Sequence, residues 1–421
     1  MHPSSEALPP ETTDEIIGCL HDSPAALAAC SLVHSEWKHR AQILLFTRVV
    51  LRDSQAYAAL LHLMRSDARI AERHCQNTKH LEILDDRSHP YAHQLPLTLC
   101  RKFPALRSIA CHNAQWHEKT HLPPRFFIPL STFSGVVSLE LHACESRAFR
   151  DFVRFVCAFG GLRDLTLVRA NLGKRSPIDI APTVKPRGSD LQLRNLRTEH
   201  LVSEDSALAE LLSWLKRTPS GQEETRTIRD LRVNPQETML QTSFHAPMEG
   251  LLSTLGSSLI DLDMPVLLHD IGTGLESNNQ LRTLVLRHTF REEWGIAWTK
   301  IGLMLQTMKS VHLRSFELVF TIFRGTGPAG GRSMDLADFN INWGPINEMI
   351  SNKEFGALEK ATVTLEWHLM DTLPPGSAEH MQSMIEEGMK QLDWYKRGIL
   401  TITHNKHPFT LPPEPKHPSA Q

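Results

Sequence analysis

The chain has 421 residues, a formal charge of −2, 41% hydrophobic and 22% charged residues, which is longer than one compact core usually grows and predicts two domains or an extended array. So even a charge balance supplies no field to gather nucleic acid or an anionic membrane surface, and it argues against both as partners. No apolar run approaches the roughly 18 residues that span a bilayer, and the start MHPSSEALPP has neither the basic nor the apolar region of a secretory signal.

The seven cysteines all lie between Cys19 and Cys157, and none forms a Cys-x-x-Cys pair. So lopsided and odd a set predicts free thiols in a reducing compartment, cytoplasm or nucleus. Residues 1–7 carry no pattern and read as disordered. Leu8 to Phe46, LPPETTDEIIGCLHDSPAALAACSLVHSEWKHRAQILLF, predicts three short helices. The first runs from about Pro10 to Leu20, with Pro in the first turn, Glu11, Asp14 and Glu15 at the positive end of the dipole, and Ile16, Ile17 and Leu20 as the apolar face. Ser23 caps a second helix opened by Pro24. Ser35 caps a third, in which Trp37, Ala41, Leu44 and Leu45 recur at helical spacing while Lys38, His39, Arg40 and Gln42 face out. Three helices this short cannot enclose all these apolar groups, so some must meet a partner or the rest of the chain.

Leu8-Pro9-x-Glu11, then Ile16-Ile17-x-x-Leu20, then Ala28-Ala29-Cys30-Ser31-Leu32-Val33, then Trp37 closely resembles the F-box, most of all in F-box proteins of mushroom-forming fungi. Thr12-Thr13 depart from the family, which often has aliphatic residues there. The resemblance implies that residues 8–50 bind the Skp1 adaptor of a cullin-RING ubiquitin ligase. Leu8, Pro9, Ile17, Leu20, Cys30, Leu32 and Val33 are then expected on the partner face, with Trp37 shared between that face and the segment's interior.

Downstream, Arg48–Leu51 reads as a strand and Ser54–Met64 as a helix. Stretches of the form Leu-x-x-Leu-x-Leu then alternate with helical ones. They begin at His80, Leu106, Val136, Leu162, Leu196, Ile228, Leu259, Leu281, Leu313, Leu358 and Ile399, mostly about 22 to 34 residues apart, the period of leucine-rich repeats made irregular. Helical candidates between them are 147–159, 207–217, 248–257, 292–308, 345–353 and 378–396. The expected fold is α/β: a three-helix F-box-like segment, an irregular leucine-rich-repeat-like strand–helix solenoid over 51–403, and a disordered Pro-rich tail over 404–421. Residues alternating with the leucines face outward, and Glu140, His142, Asp164, Thr166, Asp261, Asp263, Arg287 and Glu317 are expected to line a surface that meets a target protein. The family often carries such repeats behind the F-box, where they bind the protein to be ubiquitylated.

Three signals point to other chemistry. His117-Glu118-Lys119-Thr120-His121 matches the HExxH of zinc hydrolases, which needs a continuous helix to put both imidazoles on one ion. Pro123-Pro124 follow at once and would stop that helix. Gly325-x-Gly327-x-x-Gly330 matches a dinucleotide fingerprint, but Pro328 sits inside it and no helix start follows to receive a pyrophosphate. The chain holds 23 histidines, yet His112, His117 and His121 have no Cys or carboxylate at ligand spacing, and no nucleophile elbow is visible. No cofactor or metal is therefore expected. The reading is a non-catalytic adaptor that links Skp1, and through it a cullin, to an unidentified target. The alternatives are a repeat scaffold outside any ligase, its helices serving as a solenoid cap, and a zinc hydrolase using residues 117–121.

Overall fold

The structure, a computed structural model, describes residues 9–66, 74–116, 126–173, 191–201, 206–218, 220, 227–234, 244–266, 275–290, 301–323, 355–368, 383, 386–390 and 392–406. The fold is α/β, with parallel strands joined by crossovers that carry the helices. The chain divides into two compact units, Met1–Arg194 with Thr198–Ala207, and Asn195–Arg197 with Leu208–Gln421.

The first unit opens with α1 (Pro10–Gly18), α2 (Pro24–Val33) and α3 (Ser35–Leu45). Pro stands at the head of α1 and α2, where its missing N–H has no partner to lose. Two caps differ from expectation. Ser23 precedes α2 without a side-chain bond. His34, not Ser35, caps α3, its imidazole Nδ1 accepting the Glu36 amide at 3.3 Å. Ile17, Leu27 and Ala41 form a small interior, with Leu20, Cys30, Trp37, Leu44 and Leu45 packed against it.

From there the chain alternates. β1 (Arg48–Leu51) is followed by α4 (Ser54–Ser66), β2 (His80–Leu84) and β3 (Ser108–His112). The short β4 (Gln115–Trp116), β5 (Ser138–His142), the short β6 (Glu145–Ser146) and β7 (Asp164–Val168) complete the series. β1, β2, β3, β5 and β7 lie side by side in sequence order, all parallel, and β4 pairs with β6 behind them. A parallel neighbour cannot be reached by a hairpin, so each step needs a crossover. The crossover helix Phe149–Cys157 shows how one is held: Phe152, Phe155 and Val156 are buried, while Arg154 lies 4.2 Å above the Phe127 ring.

Most strands start two residues later than the leucine pattern predicts; those that start at His80, Asn195 and Leu400 fall within one residue of it. Leu106, Val136 and Leu162, read as first strand residues, are buried in the turn that enters the strand. There one carbonyl receives two successive amides: Lys79 O those of Arg107 and Ser108, Arg107 O those of Val137 and Ser138, Val137 O those of Arg163 and Asp164. The strand exit also recurs. Asn113, Ala143, Arg169 and His200 take positive φ between 48° and 58°. The amides of Asn113, Ala143 and Arg169 each reach the last carbonyl of the next strand, at His142, Val168 and Glu199.

In the second unit β9 (Asp230–Asn234), β10 (Asp261–Pro265), β11 (Thr283–Phe290), β12 (Ser315–Phe323), β13 (Lys360–His368) and β14 (Leu400–Lys406) are again parallel and in sequence order. β8 (Asn195–Glu199) straddles the division between the units. The double-acceptor turn persists: Arg229 O, Ile260 O, Arg282 O and Arg314 O each accept two successive amides. Met248, Leu251, Leu252 and Leu255 of the helix His245–Leu255 are buried, as are the inward Leu262, Leu284, Phe316 and Val363. Each such side chain contributes about 1.5–3 kcal/mol relative to exposure. β14 runs through His404–Lys406, where a disordered tail was expected to begin; residues 407–421 lie outside the described residues. Among the described residues no helix is long and apolar enough to cross a membrane.

Candidate functional site

Two surfaces of the first unit and one of the second carry the residues singled out by sequence. The first is the end of α2. This helix is apolar nearly all round, and α3 covers only one side of it. Leu32 is 86% exposed and Val33 70%, at the last turn before the extended His34. Ile16 on α1 is 50% exposed, with Glu11, Asp14 and Glu15 exposed along the same helix. Pro9 is exposed ahead of α1, and Leu8 lies outside the described residues.

Ile17 corrects the expectation. It is 1% exposed and points into the interior with Leu27 and Ala41. Leu20, Cys30 and Trp37 are half-buried against the same interior, so they serve the segment's own packing at least in part. Of Thr12 and Thr13, where the resembled family often has aliphatic residues at one or both positions, Thr12 is exposed and Thr13 half-buried.

The second surface is the outward side of the first unit's sheet. Register aligns Ser108, Ser138 and Asp164 in one row, Glu82, Ala110, Glu140 and Thr166 in the next, and Leu84, His112, His142 and Val168 in the third. Glu140, His142, Asp164 and Thr166 are all half-buried there. A chain of polar contacts crosses the rows. Arg48 Nη2 donates to Glu82 at 2.6 Å, the other Glu82 oxygen lies 3.4 Å from His112 Nε2, and Glu140 lies 3.3 Å from His142 Nε2. The His112 and His142 rings stack with centroids 4.6 Å apart. Arg48, Glu82 and His112 were not among the expected residues. Glu82 is legible at an alternating position of His80–Leu84, whereas His112 falls beyond the end of the leucine pattern.

The third surface is the outward side of the second unit's sheet. Asp230, Asp261 and Thr283 share a row, as do Arg232, Asp263, Val285, Glu317 and Thr362. Asp263 and Arg287 form a two-pronged pair at 2.7 and 2.9 Å, and Asp230 holds Arg232 in the same way at 3.0 Å. Burial acts against the Arg287 charge, but Asp263, with Glu366 and Glu317 behind it, outweighs burial and holds the guanidinium above its ordinary value. Glu317 accepts from Thr364 at 2.9 Å, and Thr364 in turn accepts from Thr403 at 2.9 Å. Asp261, Asp263, Arg287 and Glu317 are half-buried, whereas Thr362 and Thr364 are buried although they face outward.

Behind the first unit's sheet lies an apolar cavity of about 30 Å³ lined by Ile83, Leu99, Ile109, Cys111, Trp116 and Phe133 among others. Small-molecule pockets run to roughly 300 Å³ or more, so this is a packing gap. The Trp116 indole N–H finds no acceptor in it. Residues 117–121 and 325–330, which carry the HExxH and glycine-rich matches, lie outside the described residues. Among the described residues no three His, Cys, Asp or Glu side chains converge as a metal site. Comparison of the sequence with models of known protein families and with curated proteins finds no match.

Proposed function

We propose that the chain is the substrate-recognition adaptor of an SCF-type ubiquitin ligase: the helices α1–α3 dock on Skp1, and the outward sheet surfaces, as parts of a leucine-rich-repeat-like solenoid, hold a target protein. The observation that carries the reading is the pair Leu32 and Val33, left 86% and 70% exposed at the end of α2. They belong to the Cys30-Ser31-Leu32-Val33 block of the F-box resemblance. Exposure of two adjacent large apolar residues on so short a helix favours a protein partner over solvent. The recurring strand entrance supports the repeat half of the reading, since a unit that repeats its backbone bonds stacks on its neighbour in the same way each time. Function then needs no catalytic group in this chain. Holding a target beside a ubiquitin carrier turns a bimolecular encounter into a local one.

The rival reading, helices as an end cap of the repeats, draws on the direct passage of α3 into β1, where Thr47 O accepts the amides of Lys79 and His80 at 2.8 and 3.0 Å. Pull-down with Skp1 separates the two. Leu32→Asp with Val33→Asp removes about 1.5–3 kcal/mol of burial at each position, at least about a hundredfold in affinity. A wild-type chain that captures Skp1 and a double variant that does not support the adaptor; equal capture by both, or by neither, favours the cap.

A further inference from the structure

Two imidazoles lie face to face on the outward side of the first unit's sheet. His112 ends β3 and His142 ends β5, and the register sets them directly opposite. The rings are 4.6 Å apart and 16° from parallel. Each has its own carboxylate: Glu82 lies 3.4 Å from His112 and Glu140 3.3 Å from His142. Glu82 is also held by Arg48 at 2.6 Å. The side chains of His112, His142 and Glu82 are 26%, 31% and 20% exposed, shielded but within reach of water, and Glu140 is more open at 43%. Of the neighbouring strands, β2 presents Glu82, β1 presents Arg48 and β5 presents Glu140, while β7 offers only the uncharged Thr166 and Val168 in these rows.

We infer that the His112–His142 stack is a proton-operated charge switch, which takes one proton between its two glutamates and resists the second. With both rings neutral the cluster carries one cation, Arg48, and two carboxylates, so it is net negative. One proton makes it neutral. That proton is well placed, because an imidazolium can lie against a neutral ring as a cation on a π face and donate to a carboxylate at once. A second proton must be set beside the first at ring-stacking distance, where like charges oppose it. Burial is the largest influence holding His112 below its ordinary value, the charge of His142 the next, and Glu82 and Glu140 pull the other way. The switch does not depend on the adaptor reading. Under that reading, neutralisation by the first proton weakens the hold on a basic target segment.

The test is NMR of the full chain with ¹³C-labelled histidine, titrated from neutral to acid pH, with His112 assigned from the His112→Gln spectrum. His142→Gln is expected to raise the His112 midpoint and Glu82→Gln to lower it, each by at least about half a pH unit, a tenfold change in proton affinity being one unit. Opposed shifts of this kind do not arise from general loosening of the fold, which would draw both variants toward the ordinary value. A His112 midpoint that neither substitution moves, or that both move in the same direction, overturns the switch. Should His142→Gln fail to fold, Glu82→Gln alone decides: a lowered midpoint supports the switch, an unchanged or raised one ends it.

Discussion

Asp85 shows what single residues do at the strand exits. It is 6% exposed, and its Oδ1 accepts the amides of Asp86, Tyr91 and Ala92 at 3.2, 2.8 and 3.2 Å. The Tyr91 hydroxyl in turn donates to Leu51 O and Leu84 O. Burial raises the Asp85 carboxyl above the usual range, and the amides offset part of that. Asp85→Ala leaves buried amides without an acceptor and is expected to lower stability by about 1–3 kcal/mol in urea unfolding. Asp85→Asn keeps an acceptor and removes the buried charge, so it should cost less. His112 makes a second prediction. Its folded-state affinity for protons is depressed, so the unfolded chain binds the proton more readily. Stability is therefore whole above the ordinary histidine value of about 6.5 and falls as pH drops through the folded midpoint below it. His112→Gln should flatten that part of the pH profile. Thiols supply a third. Burial pushes Cys144 up to about 12 and Cys157 up to about 11. Cys111 and Cys144 are buried and Cys19 is exposed. Iodoacetamide at pH 8 should label Cys19 in the native protein and spare Cys111 and Cys144; early label on Cys144 would contradict the packing described.

Among elements, the three N-terminal helices divide their apolar residues between an interior and a surface. Ile17→Ala opens a hole beside Leu27 and Ala41 and should cost about 2–5 kcal/mol of folding stability. Leu32→Asp with Val33→Asp should leave the melting temperature nearly unchanged while abolishing partner binding. The difference between neighbours Ile16 and Ile17 was not legible in the sequence, because Leu20 stands one helical turn from both, at i+4 and i+3. Which isoleucine turns inward is decided by α2 and α3, through contacts that no local pattern encodes. The strands were legible in order and spacing because inward leucines must alternate with polar residues. Most of their starts were displaced by two residues because the first apolar residue of those patterns serves the turn, where burial looks the same in sequence as burial in a strand. His112 stayed hidden because its pattern, Leu106–Ile109, stops three residues short of it, while Glu140 and Asp263 remained visible at alternating positions.

At the scale of the whole molecule, each unit gains its core one crossover at a time, and the same turn chemistry recurs from Lys79 O to Arg314 O. Under the repeat reading proposed above, folding of each unit rests on nearest-neighbour stacking, and the outward rows are free to vary in charge without disturbing it. The first unit sets a stacked histidine pair between glutamates, the second a series of acid–arginine pairs. On the proposed reading, the helices at the head of the first unit hold Skp1. Coexpression of the full chain with Skp1, followed by size exclusion with light scattering, tests this. One peak with the mass of a one-to-one complex is expected, resolved into separate components by Leu32→Asp with Val33→Asp. A folded wild-type chain that elutes apart from Skp1 would contradict it.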